Sequence, residues 1–163
     1  DKRVMCFNID AMDSFLSQCP PRDGIVGIKV SPYSDKHQLR EVASMFNDHA
    51  GLLKYVATMN TYPNGMALLP DETGAVDSKE MGAFGGIGGK ALKQLSLGDA
   101  ATFYECLDDR IGVIRVGGID SGLDIKHSLT VGCKGVQVVT AIATQGPKVI
   151  KKMRDEYTKL ALA

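Results

Sequence analysis

A lone lysine and a polar pair stand at the ends of two apolar runs, where side chains of this kind can bind a ligand. Lys29 lies near the end of residues 25–30, and Asn60 and Thr61 follow residues 52–59. A lysine in a buried strand costs several kcal/mol, on the order of 3 or more, unless it is paired or faces a ligand. An amide and a hydroxyl can hydrogen-bond a planar polar molecule. The alternatives are a lysine that extends from the strand end to solvent and polar residues that turn the chain.

Residues 111–142 could bind a phosphate. Two apolar runs flank an amphipathic segment, a pattern typical of a βαβ unit with parallel strands. Its strands would bring four residues to one end of a sheet, where backbone N–H groups can bind phosphate. These residues are Gly117, Gly118, Val139 and Thr140.

The elements that must position these residues form four strand–helix units. In parallel barrels phosphate commonly binds after the last two strands, so we interpret residues 111–142 as the last quarter of a (β/α)8 barrel. A Rossmann-type or flavodoxin-type sheet that uses the glycines only for packing is the alternative. Residues 1–163 are thus predicted to be α/β, the C-terminal half of a TIM barrel. The predicted strands are 25–30, 52–59, 111–116 and 135–139, and the predicted helices are 10–18, 35–50, 98–107, 123–131 and 149–162.

Between the second and third units the sequence predicts a small β-hairpin insertion. Asn64-Gly65 is a turn signal, and residues 66–69 and 74–76 could pair. Residues 79–89 are predicted to be a loop. This loop carries FGGIGGK, which fits neither a P-loop nor the dinucleotide-binding glycine pattern.

Composition excludes several classes of protein. The chain has 163 residues, with 44% hydrophobic and 23% charged residues, which favours one globular domain. Lys+Arg and Asp+Glu are both 19, so nothing indicates a nucleic-acid partner. The sequence has no apolar run of membrane-spanning length and no signal-peptide pattern. The scattered cysteines are expected to be reduced in the cytoplasm, and the three histidines lack metal-ligand spacing.

The motifs together resemble one enzyme family. MNTYPNG, FGGIGGK and VGGIDSGLDIKHSLTVGCKGVQVVTAIATQGP follow one another in the order found in the C-terminal half of dihydroorotate dehydrogenases. The resemblance is strongest to the soluble, fumarate-linked branch and covers nearly the whole chain. GIKVSPY is similar to the lysine-Pro-Pro-Tyr strand end of that branch.

The resemblance implies a barrel that holds FMN at its C-terminal rim and oxidises dihydroorotate to orotate in pyrimidine biosynthesis. It places Lys29 beside the flavin ring and implies that Met59 and Gly89 contact the cofactor. It further implies that Asn60 and Thr61 bind orotate. The residues implied to hold the FMN phosphate are Gly117, Gly118, Val139 and Thr140.

Some positions depart from the family pattern. Ser31 replaces a proline, Thr61 replaces a serine, and Arg115 and Val139 replace glycines at the phosphate end. Gln94-Leu95 replaces a Pro-Thr step. The catalytic base of this branch, a cysteine, is expected upstream of Asp1, so no catalytic residue is predicted within the chain.

Three hypotheses follow. The first is a dihydroorotate dehydrogenase-like flavoenzyme whose other barrel half comes from an N-terminal segment or a second chain, with the complete enzyme a homodimer. The second is an inactive half-barrel that serves as a structural or assembly component. The third is another FMN or phosphate-sugar barrel, which FGGIGG and Asn60-Thr61 disfavour.

Overall fold

A four-stranded parallel sheet forms the centre of the chain in the computed structural model. The structure describes residues 5–20, 23–71, 73–75 and 84–162. The strand order is β1 (Val26–Lys29), β2 (Leu53–Thr58), β5 (Gly112–Val116) and β6 (Gly135–Gln137), and each neighbouring pair is parallel. The predicted α/β class and the order of the four parallel strands are therefore confirmed.

The described residues form six strands and six α-helices. The strands are β1 (Val26–Lys29), β2 (Leu53–Thr58), β3 (Tyr62–Met66), β4 (Phe84–Ile87), β5 (Gly112–Val116) and β6 (Gly135–Gln137). The helices are α1 (Ile9–Ser17), α2 (Lys36–Asp48), α3 (Lys93–Cys106), α4 (Gly122–Thr130), α5 (Thr140–Gln145) and α6 (Lys148–Leu162). Helix α2 begins where Asp35 accepts a hydrogen bond from the His37 N–H, and α4 begins in the same way at Ser121.

The helices cover one face of the sheet, and the strand alternation decides which residues they bury. Val56 and Val113 are buried among the side chains of α2 and α3, with Ile28 packed against the same core. The other face carries Tyr55 and Ala57, among others, because successive side chains point to opposite faces. Val26, Ile28, Val56, Val113 and Val136 all pack on the side that the helices cover. The open face is formed by the residues that alternate with them along the strands.

A separate antiparallel pair, β3 and β4, replaces part of the predicted loop. Met66 pairs with Phe84, and Tyr62 pairs with Ile87. Gly86 has no room for a Cβ, because that atom would overlap the Thr61 hydroxyl. The predicted pairing of 66–69 with 74–76 appears as a single antiparallel bridge between Leu68 and Gly74. Residues 76–83, which include the rest of the predicted hairpin and loop, lie outside the described residues.

Helix α3 begins earlier than predicted, and helix α5 was not predicted. Helix α3 was expected from Gly98 but begins at Lys93, after a 3-10 turn at Gly89–Leu92. Its first turn is held by tertiary contacts, including a hydrogen bond of 2.7 Å from the Ser96 hydroxyl to the Gly117 carbonyl. Helix α5 begins at Thr140, in a segment for which no helix was predicted.

Among the described residues, none of the helices combines the length and the apolar character needed to cross a membrane. The described cysteine side chains, Cys19, Cys106 and Cys133, are free thiols.

Candidate functional site

One cavity at the carboxyl ends of the parallel strands brings the predicted site residues together. Its volume is about 280 Å³. All nine residues predicted from the sequence line it: Lys29, Met59, Asn60, Thr61, Gly89, Gly117, Gly118, Val139 and Thr140. This follows from the topology, since the ends of neighbouring parallel strands lie at the same edge of a sheet.

Backbone hydrogen bonds beyond β2 fix the polar pair. The Met59 N–H donates to the Val116 carbonyl at 3.0 Å, and the Asn60 N–H donates to the Val30 carbonyl at 2.8 Å. The Met59 side chain is buried, whereas Asn60 and Thr61 are exposed. The chain is therefore held to both neighbouring strands at the point where the amide and hydroxyl side chains reach the cavity.

The glycine pair after β5 lies against the first turn of α3. Gly117 and Gly118 have φ values of 119° and 73°, a region that favours glycine. A Cβ on Gly118 would lie 2.6 Å from the Cα of Lys93. Because neither glycine has a side chain, the loop can pack closely against α3. The backbone of both glycines lines the cavity.

Elsewhere in the cavity wall, Gly89 lies against Thr140. Gly89 has a φ of 67°, and a Cβ there would lie 3.0 Å from the Thr140 Cγ2. Thr140 begins α5, whose preceding residue, Val139, makes no side-chain cap. The first N–H groups of a helix lack intrahelical partners. The Val139 side chain is 68% exposed, so it has the room that its replacement of a glycine requires.

Lys29 lies in the cavity wall, but its surroundings differ from the prediction. The sequence indicated a lysine near the end of a buried strand, whereas Lys29 is exposed in this chain. It belongs to the face of the sheet that the helices do not cover. The cost of burying a charge, which was the reason for assigning Lys29 to a site, therefore does not apply in the described chain. The assignment now depends on the position of Lys29 in the cavity wall.

A cluster of ion pairs joins the first turn of α3 to the loop after β5. Lys93 Nζ donates to Asp120 Oδ1 at 2.9 Å and to Asp124 Oδ2 at 3.0 Å, and Lys90 Nζ lies 3.0 Å from Asp120 Oδ2. Burial acts to raise the pKa of Asp120, but the hydrogen bonds from Lys93 and Lys90 outweigh it and lower the pKa to about 2. Asp124 also accepts hydrogen bonds from the Asp120 N–H and the Ser121 hydroxyl at the start of α4.

The family resemblance implied that Arg115 lies at the phosphate end of the cavity. In the structure, Arg115 is not among the residues that line this cavity. Its side chain is 1% exposed and faces the helices. The guanidinium donates to the Ser96 hydroxyl at 2.9 Å, the Ser128 hydroxyl at 3.1 Å and the Lys93 carbonyl at 2.7 Å. Strand alternation explains this, since Arg115 is in register with Thr58 and Val136 on the helix side. Arg115 therefore ties β5 to α3 and α4.

Five polar residues of the cavity wall were not predicted: Lys90, Asp120, Gln137, Thr144 and Gln145. Gln137 is the last residue of β6, and Asn60 lies just beyond the end of β2. The reasoning that selected Asn60, a polar residue at the end of a parallel strand, could therefore also have selected Gln137. Asp120 was not among the predicted site residues, and Lys90 was considered only within a P-loop pattern. Among the described residues, no group of three or more His, Cys, Asp or Glu side chains could hold a metal ion.

Comparison with known proteins identifies close similarity to one enzyme family. The family model described as dihydroorotate dehydrogenase matches residues 6–160. The chain is 32% identical over 135 residues to a putative dihydroorotate dehydrogenase A (fumarate) of Streptococcus uberis, which covers 83% of the chain and 42% of that protein. It is 29% identical over 160 residues to the dihydroorotate dehydrogenase (fumarate) of Trypanosoma cruzi, which covers 98% of the chain and 50% of that protein.

Solved structures show the same fold. A structure of the Eimeria tenella enzyme in complex with ferulenol superimposes with a TM-score of 0.74 at 20% identity, covering 96% of this chain and 45% of that one. The ligand-free enzyme gives a TM-score of 0.65 at 22% identity, covering 91% and 43%. The chain therefore spans half or less of the length of each relative and structure compared.

Proposed function

The chain belongs to the dihydroorotate dehydrogenase family, and we propose that it is the FMN-binding half of such an enzyme, one that oxidises dihydroorotate to orotate in pyrimidine biosynthesis. The observation that supports this most directly is the single cavity that contains all nine predicted residues. The predicted cofactor and substrate roles depended on the family resemblance, whereas the shared cavity is a property of the fold.

The cavity suits FMN. Gly117 and Gly118 contribute backbone without side chains to the cavity wall, and Thr140 at the start of α5 lines the same cavity. Gly89 lies so close to Thr140 that a Cβ would narrow this end of the cavity. Backbone N–H groups at these positions could each donate a hydrogen bond to an oxygen of a bound phosphate.

Each predicted residue then has a role. Gly117, Gly118, Val139 and Thr140 would hold the phosphate, and Met59 and Gly89 would line the cofactor. FMN, when bound, would accept the hydride that dihydroorotate loses. Lys29 would place its ammonium group beside the flavin ring and stabilise negative charge there. Asn60 and Thr61 would hydrogen-bond the substrate and orient it.

The proposal assigns the remaining half of the barrel, with the cysteine base, to residues outside this sequence or to a second chain. Among the described residues, no strand pairs with the outer edge of β1. A second cavity, of about 330 Å³, is lined by Ile28 and Lys29 of β1, by Val30 and by Met12 of α1. An apolar groove beside an unpaired strand is a suitable place for another strand to add. We further propose that the complete enzyme is a cytoplasmic homodimer.

Flavin titration of the purified chain tests the cofactor assignment. We expect FMN fluorescence to be quenched on binding and Thr140→Ala to weaken FMN binding, since one hydrogen bond to a charged group is worth roughly 1.5–3 kcal/mol. Thr130→Ala is the matched control, because Thr130 is an exposed helical threonine on α4 outside the cavity wall. Equal FMN affinity of wild type and Thr140→Ala would contradict the phosphate assignment.

Sedimentation equilibrium and intact mass of the co-purifying material test the half-barrel. We expect the chain to associate with a partner or with itself. A folded species of 17.5 kDa alone in solution would refute the proposal. An associated chain that binds no flavin would favour the alternative, an inactive half-barrel with a structural role.

A further inference from the structure

The charged residues that line the cavity are few, and two of them form a pair at its glycine end. Of the described residues, Lys29, Lys90 and Asp120 are the charged ones in the wall. Lys29 ends β1, near Asn60. Lys90 directly follows Gly89, and Asp120 follows Gly118 by two residues. The ion pair therefore belongs to the end of the cavity assigned above to the phosphate.

Asp120 by itself would oppose binding of an anion at this end. Its pKa is lowered to about 2, so the carboxylate is charged at neutral pH. Its side chain is 14% exposed, which limits screening by solvent. A phosphate next to an uncompensated carboxylate would experience like-charge repulsion.

Two lysines compensate Asp120, and they differ in freedom. Lys93 is 29% exposed and is shared between Asp120 and Asp124, so its charge is engaged by two carboxylates. Lys90 is 80% exposed and contacts only Asp120 among the described salt bridges. Exposed ion pairs contribute little to stability, about 0–1 kcal/mol. Lys90 can therefore separate from Asp120, or move its ammonium group toward a ligand, at a small cost in free energy.

We infer that the Lys90–Asp120 pair sets the charge at this end of the cavity and makes the site select a phosphorylated flavin over riboflavin. Lys90 cancels the charge of Asp120, and its mobile ammonium group adds attraction for the phosphate. The inference rests on the proposed FMN function. It assigns Lys90 a role in specificity and gives it no part in hydride transfer.

Titration of the full chain with FMN and with riboflavin, followed by flavin fluorescence, tests this inference. Lys90→Gln is expected to weaken FMN binding about fivefold, which corresponds to about 1 kcal/mol, and to change riboflavin binding by less than about twofold. Asp120→Asn is expected to strengthen FMN binding by a similar factor, and the double variant to return to the wild-type affinity. Raising the salt concentration should reduce these differences.

The control is Lys54→Gln, which removes an exposed charge on β2 outside the cavity wall and should leave both affinities unchanged. Equal weakening of FMN and riboflavin by Lys90→Gln would overturn the inference, because it would indicate a structural role in the wall. Unchanged FMN affinity would also overturn it. If wild type binds neither flavin, the cofactor proposal itself fails and this inference fails with it.

Discussion

Asp99 on α3 is a partly buried carboxyl group whose ionisation should destabilise the fold. Burial raises its pKa from the usual 3.8 to about 6, and the Tyr33 N–H, 3.5 Å from Oδ2, opposes this only weakly. We predict that Asp99→Asn increases the free energy of unfolding at neutral pH. The amide keeps an oxygen that can accept the hydrogen bond from Tyr33 and carries no charge.

The magnitude follows from linkage. The folded protein binds the proton of Asp99 more tightly than the unfolded chain, so ionisation costs stability as the pH rises from 3.8 through about 6. A pKa increase from 3.8 to about 6 corresponds to a loss of about 3 kcal/mol at most in the free energy of unfolding. Because part of the carboxyl reaches solvent, we expect a gain of about 1–2 kcal/mol from Asp99→Asn at pH 7.5. Below pH 3.8 both states are protonated, so the gain should vanish.

Urea denaturation of wild type and Asp99→Asn at about pH 3.5 and pH 7.5 measures this difference. Asp109→Asn, which changes an exposed carboxylate, is the control and should show little change at either pH. A gain from Asp99→Asn that is the same at both values would refute the reasoning, because the effect would then come from packing or hydrogen bonding. A loss at pH 7.5 would show that the charged carboxylate is stabilised by the fold.

Three further predictions concern single side chains. Thr58→Val should raise the free energy of unfolding by about 1 kcal/mol, since the Thr58 hydroxyl is buried with no hydrogen-bond partner among the described residues; a loss on urea denaturation would reveal a partner. Arg115→Met should lower it by about 3 kcal/mol, because it leaves buried acceptors on α3 and α4 unpaired; an unchanged denaturation midpoint would contradict this. Lys29→Ala should leave the melting temperature unchanged, because Lys29 is exposed, and should abolish flavin reduction by dihydroorotate in the complete enzyme; full single-turnover reduction would remove Lys29 from the site.

The sequence was sufficient to predict that several strand-end residues meet at one cavity, because that follows from topology. Any polar residue that ends a parallel strand reaches the same edge of the sheet, so Asn60 and Thr140 could be grouped without knowledge of side-chain positions. The face of each strand could not be predicted in the same way. Parallel strands are apolar on both sides, and the runs around Ile28 and Val56 carry little alternation to distinguish the helix side from the open side.

Other features depended on contacts between residues far apart in sequence. The strand β4 consists of Phe84–Ile87, with glycine at two of its four positions, and glycine is depleted in strands, so its pairing with β3 overrode local preference. The early start of α3 depends on Lys93 and Ser96 bonding to the loop after β5. Neither contact leaves a periodic signal in the sequence.

The two ends of the cavity therefore differ in how they are built. At the glycine end, the Ser96 hydroxyl donates to the Gly117 carbonyl and Arg115 donates to the Lys93 carbonyl, while Lys93 is paired with Asp120. All of these groups belong to this chain, so packing between α3 and the loop after β5 fixes that end. At the other end, Lys29 lies on β1, whose outer edge has no partner strand among the described residues. A pre-formed phosphate end should thus bind its anion in the chain alone, whereas orientation of Lys29 should depend on what pairs with β1.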